Sequence, residues 1–408
     1  MPGKSNKNGR RFLKFMPKKI IKNKKEIIEG SRAIALTITN IAPAVISAYP
    51  ITPQTHIVED LAKIKAEGKA NFEYLRAESE FAAASIVLGA SATGARVYSA
   101  TSSQGLLLMS EVIHNIAGMR LPVVITCANR AISAPISIWN DHSDVMSIKD
   151  SGFIQFFAAD NQEAINQHIL AYKIAEKHEL PVMINVDGFI LTHLYEPVTI
   201  PSKQAIKKFL PSYKPDKGTY LDPKDPKTFG AFFAPAYYME TRQALHEDLL
   251  NSIPSITKEY QSMIKTFGFD NKDNGLFEYI GPKNPKTILV AMGSINGTIL
   301  AAINSDKQLK KSVGLLKIKV YRPFPGKEIA KIIKPKTNIA VLEKAISLGQ
   351  AGPLYNDLVE ALNTYKKRGD GLIKNYIVGL GGRDISEEMV KKIIIDSNKK
   401  NNHLKFYA

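Results

Sequence analysis

Short apolar runs typical of buried strands alternate with helix-like segments along most of this chain, and this alternation restricts the possible folds more than any other feature. In the first half, apolar runs occupy 44–50, 96–100, 123–128 and 181–186, and helices are predicted over 26–41, 79–92, 104–118 and 161–178. Strands that are apolar throughout are buried on both faces, as in a parallel sheet covered by helices. The sequence therefore predicts an α/β fold with a parallel sheet.

A second alternating block runs from about residue 286 towards the C-terminal end. A stretch rich in proline and lysine at 197–236, followed by a predicted helix over 240–267, separates the two blocks. Long connections of this kind are uncommon inside a compact domain. We therefore expect a basic, disordered tail at 1–25, a first domain over 26–270 that includes the extended linker 197–236, and a smaller α/β domain over 280–408.

The charge of the chain is concentrated at one end. Ten lysine or arginine residues and no acid fall in residues 1–25, out of a formal net charge of +17. A solvated extension is one interpretation of the tail, and contact with an acidic protein or with nucleic acid is another. The tail has few aromatic residues for base stacking and the chain has no nucleic-acid motif, which argues against nucleic acid.

The single cysteine, Cys127, lies within the apolar run 123–128. One cysteine excludes an internal disulfide and a four-cysteine iron–sulfur site in this chain, so any such cluster belongs to another polypeptide. No apolar run approaches the ~18–20 residues that a membrane span needs. The N-terminal sequence also lacks the pattern of a secretory signal. We expect a soluble, cytoplasmic protein without a membrane partner.

Four motifs that could carry chemistry lie between residues 49 and 144. They are YPITPQT (49–55), AESEFAAAS (77–85), TSSQGLLLM (101–109) and NRAISAPISIWNDHSD (129–144). The second motif places carboxylates among alanines. This suggests a buried carboxylate with a functional role, because burying an unpaired carboxylate is costly. The fourth places Arg130 directly after a strand-like run, and α/β folds bind ligands at strand ends.

Together with YIVGLGGRDI at 376–385, these motifs resemble the α subunit of pyruvate:ferredoxin oxidoreductase (pyruvate synthase), of the 2-oxoacid:ferredoxin oxidoreductase family, over about residues 29–395. The resemblance implies a thiamin diphosphate-binding domain of the transketolase pyrimidine type, followed by a smaller transketolase C-terminal-like domain. It implies oxidation of pyruvate with coenzyme A to acetyl-CoA and CO₂, reversibly, with electrons passed to ferredoxin. It also implies partner β, γ and δ subunits, with the diphosphate and Mg²⁺ on β and iron–sulfur clusters on β and δ.

The sequence lacks the residues that usually bind the diphosphate and Mg²⁺ of thiamin diphosphate, so it offers only half of a cofactor site. A thiamin diphosphate site of the usual kind offers oxygen ligands for Mg²⁺ from a Gly-Asp-Gly sequence and a later pair of asparagines. The nearest match here, Asp187-Gly188-Phe189, lacks the first glycine and the asparagine pair. The chain also lacks a P-loop.

The resemblance assigns a role to Glu80, which matches the glutamate that hydrogen-bonds the aminopyrimidine ring of thiamin. An acid there helps the ring to remove the proton of the thiazolium carbon. The alternative is that Glu80 is only a favourable charge at a helix N-terminus. Pro50 is expected to shape the loop near the ring, and Glu78, two residues before Glu80, is expected to be structural.

The resemblance also assigns two substrate-binding residues. Arg130 matches an arginine that holds the substrate carboxylate, which a guanidinium does through two parallel hydrogen bonds. Thr52 matches a threonine that donates to the substrate. The alternatives are a structural salt bridge for Arg130 and a turn hydroxyl for Thr52.

Two further groups of residues are interpreted as structural. Asn140, Asp141, His142 and Asp144 resemble a metal cluster, but no second group accompanies them at metal-ligand spacing, and we predict a polar loop near the mouth of the site and no metal. The glycines of VGLGG at 378–382 are predicted to form a tight turn with subunit contacts.

Two rival functions remain at this point. The string SAPISIWNDHSD resembles the pyruvate enzymes, but a sister enzyme for 2-oxoisovalerate or another 2-oxoacid is the nearest alternative. A rival of another class is a non-catalytic interaction protein that binds an acidic partner through its basic tail.

Overall fold

The computed structural model describes residues 25–269, 273–365 and 371–407, so most of the predicted basic tail lies outside the described residues. The strands are β1 Glu26–Glu29, β2 Val45–Ala48, β3 Glu73–Arg76, β4 Val97–Thr101, β5 Val124–Asn129, β6 Ile154–Phe157, β7 Val182–Asp187, β8 Tyr195–Val198, β9 Phe277–Ile280, β10 Thr287–Ala291, β11 Val313–Ile318, β12 Val320–Arg322, β13 Asn338–Glu343, β14 Ile373–Ile377 and β15 Leu404–Phe406.

The α-helices lie between these strands, mostly as the alternation predicts. They are α1 Gly30–Ile41, α2 Thr55–Ala66, α3 Glu80–Ala92, α4 Ser103–Leu108, α5 Ser110–Gly118, α6 Ser143–Ser147, α7 Asn161–His178, α8 Ile190–His193, α9 Lys203–Phe209, α10 Pro235–Phe267, α11 Ile295–Asn304, α12 Lys307–Ser312, α13 Gly326–Ile332, α14 Pro353–Tyr365 and α15 Glu387–Asp396.

The larger sheet has seven strands in the order β12, β6, β7, β5, β4, β2, β3. All neighbours in it are parallel except β12, which pairs antiparallel with β6 at one edge. From β2 the chain passes to β3 on one side and then to β4 on the other, so the strand order reverses between β2 and β4. Strands β5 and β7 are fully buried, which explains why their sequences are mostly apolar.

The smaller sheet has six strands in the order β15, β14, β13, β10, β11, β9, and only β9 is antiparallel to its neighbour. Its strand order reverses between β10 and β13. The chain leaves this sheet at Ile318 and adds β12 to the edge of the larger sheet two residues later. One apolar core includes side chains from both units, for example Ile184 and Leu316. The predicted α/β fold with parallel sheets is confirmed.

Residues 26–29 correct the prediction of one helix over 26–41. They form β1, which pairs antiparallel with β8, and the helix begins at Gly30. A Cβ atom at Gly30 would lie 1.9 Å from the Leu191 carbonyl oxygen, so this close approach needs a glycine. Pairing with a strand distant in sequence overrides the local helical pattern.

The proline-rich stretch at 197–236 is not entirely extended. It contains the end of β8, the short helix α9 and the first residues of α10, which starts at Pro235 and not at residue 240. Proline suits the first turn of a helix because its missing N–H has no partner there. No helix in the described ranges is both long and apolar enough to cross a membrane.

Candidate active site

The crevice where the larger sheet reverses its strand order lies beside three of the four motifs. The loop 49–55 follows β2, the segment 101–109 follows β4, and α3 begins directly after the loop that leaves β3. Ligands of open α/β sheets bind at the carboxyl ends of the strands beside such a reversal. The fold therefore brings separate stretches of sequence to the expected position of a site.

Glu80 is the first residue of α3, and the Ser79 side chain caps this helix by accepting a hydrogen bond from the Ala82 N–H (3.1 Å). Glu80 is only 8% exposed, yet within the described ranges neither carboxylate oxygen has a hydrogen-bond or ion-pair partner. A buried carboxylate without a partner is costly. A buried carboxylate of this kind is typical of a group that binds a ligand.

Glu80 packs closely against Gly105. A Cβ atom there would lie 2.7 Å from Glu80 Oε1 and 2.6 Å from Thr101 Oγ1, so a side chain at this position would push the carboxylate aside. The hydroxyls of Thr101 and Ser102 are also buried without partners in the described part of the chain. Three buried polar side chains, Glu80, Thr101 and Ser102, thus have no hydrogen-bond partner among the described residues.

The loop after β2 is held by Gln54. This side chain is fully buried, donates from Nε2 to the Ala100 carbonyl oxygen (3.0 Å) and accepts from the Ile51 N–H (3.3 Å). The loop is thereby attached to β4. Pro50 and Thr52, both exposed, project from it at the edge of the crevice.

Arg130 and Thr52 lie together, as the sequence predicts for two residues of one site. Arg130 Nη1 donates to the Thr52 carbonyl oxygen (2.9 Å), and Nε donates to the Ser137 carbonyl oxygen (2.9 Å). Nη2 has no partner among the described residues. Burial lowers the pKa of the guanidinium below its ordinary value and the charge of Asp144 opposes this, but an arginine remains charged at neutral pH.

Asp144 connects the ends of two strands. Its fully buried carboxylate accepts from the N–H groups of Ser103 (3.1 Å) and Arg130 (3.0 Å) and from Asn129 Nδ2 (3.1 Å). Burial raises the pKa of Asp144 to about 6, and these hydrogen bonds oppose the rise. Asp144 thus positions the backbone that carries Arg130.

The polar loop predicted near the mouth of the site is buried between the two α/β units. His142 Nε2 lies 2.7 Å from Asp187 Oδ1, and Lys344 Nζ donates to Asp187 Oδ2 (2.7 Å) and to Asn140 Oδ1 (2.8 Å). Ser294 donates to the same carboxylate through its hydroxyl and its N–H. Burial opposes ionisation of Asp187, but the contacts with Lys344 and His142 outweigh it and hold its pKa well below the usual range.

The glycine turn at 378–382 contacts this loop of the same chain. Gly381 N–H donates to Asp141 Oδ2 (3.0 Å), and a Cβ atom at Gly382 would lie 2.3 Å from the Cβ atom of Trp139. Both glycines have positive φ, which favours glycine. The turn therefore serves contact between the two units.

Sequence reasoning missed the supporting roles of Gln54, Gly105 and Asp144. All three stand inside motifs singled out above, and a glycine early in a helical run is a signal of close approach. The role of Asp144 depends on two strand ends meeting in space, and no local pattern indicates that.

A buried acid without a described partner lies at the reversal of one parallel sheet, and a second parallel-sheet unit follows, which is the arrangement expected of a thiamin diphosphate-binding chain. The family model described as "Pyruvate flavodoxin/ferredoxin oxidoreductase, thiamine diP-bdg" matches residues 37–262. The model described as "Pyruvate:ferredoxin oxidoreductase core domain II" matches residues 286–390. The chain belongs to the pyruvate flavodoxin/ferredoxin oxidoreductase family, which confirms the resemblance.

Curated relatives agree with this assignment. The chain is 46% identical over 375 residues to the Pyruvate synthase subunit PorA of Methanocaldococcus jannaschii, covering 90% of this chain and 94% of that protein. The corresponding protein of Methanosarcina barkeri is 43% identical, with 93% and 94% covered. The Ketoisovalerate oxidoreductase subunit VorA of Pyrococcus horikoshii is 39% identical, with 92% and 94% covered.

Solved structures share the fold. The 2-oxoglutarate:ferredoxin oxidoreductase of Magnetococcus marinus, with 2-oxoglutarate, coenzyme A and succinyl-CoA bound, has a TM-score of 0.68 at 19% identity and covers 92% of this chain and 65% of that chain. A split-gene transketolase has a TM-score of 0.52 at 13% identity, with 91% and 98% covered. At these identities the likeness concerns the fold alone.

Proposed function

We propose that this chain is the α subunit of a pyruvate synthase, or pyruvate:ferredoxin oxidoreductase. The complex oxidises pyruvate with coenzyme A to acetyl-CoA and CO₂, reversibly, and passes the electrons to ferredoxin. Glu80 carries the proposal: it is a buried carboxylate without a described partner, at the sheet reversal of a chain 46% identical to a pyruvate synthase subunit.

Glu80 holds the aminopyrimidine ring of thiamin diphosphate in this proposal. The residues fit that ring because Glu80 offers a buried carboxylate that has no partner among the described residues. The cofactor, when bound, supplies the carbon nucleophile and the electron sink for decarboxylation. Glu80 would hold the ring through a hydrogen bond that shares its proton with the ring nitrogen, and its burial would keep water from competing for that hydrogen bond.

Arg130 and Thr52 hold the carboxylate and the keto group of the oxoacid. Two of the guanidinium nitrogens of Arg130 are fixed by backbone carbonyls, which orients the plane of the group. The third nitrogen is free for a charge-assisted hydrogen bond to the substrate. The Thr52 hydroxyl lies on the loop that Arg130 holds, and Pro50 shapes the same loop against the ring.

A β subunit covers this face in the proposal and holds the diphosphate and Mg²⁺. Exposed large apolar side chains lie at or after the carboxyl ends of β2, β3, β4, β5 and β7, and such a patch is typical of an interface. They are Tyr49, Leu75, Phe81, Leu108, Ile138, Trp139 and Ile190. Asp187, the nearest match to a Mg²⁺ ligand, is already bound by Lys344, His142 and Ser294.

In this proposal the iron–sulfur clusters that carry the electrons lie on partner subunits, because this chain offers no suitable cysteine ligands. The only cysteine, Cys127, is buried, and burial raises the pKa of its thiol, which disfavours the thiolate that ligates iron. We therefore place iron–sulfur clusters on the β and δ subunits and a coenzyme A role on γ.

In this chain we assign residues 26–270 to the thiamin-binding domain and 280–408 to the transketolase C-terminal-like domain.

The substrate needs a test of its own, because a ketoisovalerate oxidoreductase subunit is 39% identical to the chain. The experiment is to purify the assembled complex and to measure kcat/KM for pyruvate, 2-oxoisovalerate and 2-oxoglutarate with coenzyme A and ferredoxin. The proposal expects pyruvate to have the highest value. A higher value for 2-oxoisovalerate would assign the chain to the sister enzyme, and no turnover of any oxoacid would favour a non-catalytic protein.

A further inference from the structure

Three side chains that are outside the candidate active site converge at one end of the β1–β8 ribbon. Glu29 ends β1, His56 lies in the first turn of α2, and His193 ends α8. One ligand atom from each lies within 4.8 Å of the others. In the described part of the chain, no other group of three histidine, cysteine, aspartate or glutamate side chains meets this distance.

The contacts within this group are close. His56 Nδ1 lies 2.7 Å from Glu29 Oε1, and the His56 and His193 rings have centroids 4.7 Å apart. Two imidazoles and one carboxylate are ligands that suit zinc and neighbouring divalent transition metals and not calcium or magnesium, which prefer oxygen. We propose that Glu29, His56 and His193 bind a divalent transition-metal ion such as Zn²⁺.

The geometry requires only a small adjustment. Ligand atoms bound to zinc at about 2.0–2.1 Å lie roughly 3.3–3.5 Å apart in a tetrahedral site. No pair here is wider than 4.8 Å, so the widest pair must close by at most about 1.5 Å, and Glu29 Oε1 and His56 Nδ1, which are 2.7 Å apart, must separate by about 0.6–0.8 Å. His56 is exposed and Glu29 and His193 are half-buried, so rotation of the side chains supplies that movement. Exposure of His56 also leaves a fourth position for water.

His193 is already oriented by a second contact. One ring nitrogen, Nδ1, lies 2.7 Å from Thr192 Oγ1, and this buried hydroxyl also accepts from the Phe189 N–H (2.9 Å). A metal-binding histidine is typically fixed in this way through its other nitrogen. The second ring nitrogen is then available to the ion.

The ion would connect three segments that border the crevice. Helix α2 follows the loop of Thr52, and α8 follows Phe189, whose φ of 60° is strained for a residue with a side chain. The Phe189 ring lies between His193 (4.9 Å) and Trp139 (4.8 Å). Binding at His193 therefore alters the surroundings of Trp139, the chain's only tryptophan.

The test is equilibrium dialysis of the full-length chain, produced without a histidine tag and stripped with a chelator, against Zn²⁺. The chain should retain about one equivalent, and His56→Gln and His193→Gln should each weaken binding by at least roughly tenfold. His114→Gln is the matched control, because His114 is an exposed histidine on α5 outside the group. It should bind as the wild type does.

Two further readouts keep the proposal falsifiable if His193→Gln folds poorly. His56 is exposed, so its replacement should leave the metal-free unfolding midpoint unchanged and abolish the rise that Zn²⁺ causes in the wild type. Zn²⁺ should also change Trp139 emission over the same concentration range as binding. Failure of the wild type to retain Zn²⁺, or wild-type affinity in His56→Gln, would overturn the proposal.

Discussion

The two sheets of this protein have similar strand-order reversals, but the polar groups at them are satisfied differently. At the reversal of the smaller sheet, Ser294 and Lys344 bind Asp187 of the other unit. At the reversal of the larger sheet, Glu80 is buried without a partner in the residues described. The topology alone marks two candidate sites, and the state of the buried charges distinguishes them.

The buried carboxylate at the reversal of the smaller sheet, Asp187, has counter-charges, whereas the one at the reversal of the larger sheet, Glu80, has none among the described residues. Asp187 is stabilised as an anion by Lys344 and His142, which lower its pKa despite burial. Nothing in the described chain stabilises Glu80 in the same way. A buried ion pair fixes how two units pack, whereas an unpaired acid is a cost that a ligand can remove.

The largest expected effect is on the open crevice. Glu80→Gln in the assembled complex should reduce turnover by roughly 10²–10⁴-fold, because proton transfer by a positioned acid typically accelerates a reaction by about that factor. The matched control is Glu78→Gln, which removes an exposed carboxylate two residues away and should retain near-normal turnover. Steady-state assays with pyruvate measure both variants. Normal turnover in Glu80→Gln would remove Glu80 from the mechanism.

Removing a partner of Asp187 at the reversal of the smaller sheet should lower the stability of the protein. Lys344→Met leaves Asp187 buried without its main counter-charge, which should lower the free energy of unfolding by about 3–5 kcal/mol. The control, Lys69→Met, removes a lysine from an exposed ion pair with Glu67 and should change the free energy of unfolding little. Urea unfolding of the full chain measures both.

A double variant sharpens that result. Adding Asp187→Asn to Lys344→Met removes the uncompensated charge and should restore part of the lost stability. Equal unfolding midpoints for Lys344→Met and Lys69→Met would show that the contact between Lys344 and Asp187 contributes little.

A smaller effect is expected for the substrate grip. Arg130→Lys keeps the charge but loses the planar fork, and a charge-assisted hydrogen bond of about 1.5 kcal/mol corresponds to a rise of roughly tenfold in the KM for pyruvate. The affinity for thiamin diphosphate should change little. Initial rates over a range of pyruvate concentrations, with a parallel titration of the cofactor, separate the two. An unchanged KM would count against a carboxylate clamp.

The smallest effect is expected outside both crevices. Deletion of residues 1–25 removes ten positive charges and should leave turnover of the assembled complex nearly intact. Any change should appear as a salt-dependent difference in association, measured by sedimentation at several ionic strengths. Loss of the main activity on deletion would favour the interaction-protein alternative.

Much of the fold follows from local patterns. The alternation of apolar runs and helices predicts parallel sheets, and the position of Glu80 at the start of a helix near the strand ends follows from its motif. The strand β1 could not be predicted, because its partner lies about 170 residues away along the chain. The contact of Lys344 with Asp187 spans 157 residues and has no local signal either.

The motifs in the sequence indicate the candidate site, but not the contacts that support it. Thr52 and Arg130 are 78 residues apart, and the structure joins them through a hydrogen bond from a side chain to the backbone. Sequence patterns indicate which residue types chemistry needs, while the contacts of Gln54 and Asp144 depend on how the strand ends meet in space.

The central claim is that the open crevice of this chain is completed by another subunit. The most direct measurement is the affinity for thiamin diphosphate with Mg²⁺, by calorimetric titration of the isolated full-length chain and of the assembled complex. The account predicts binding to the complex and at least ~100-fold weaker binding to the isolated chain, because two or more charge-assisted hydrogen bonds to the diphosphate would be missing. Equal affinity in the two preparations would contradict it.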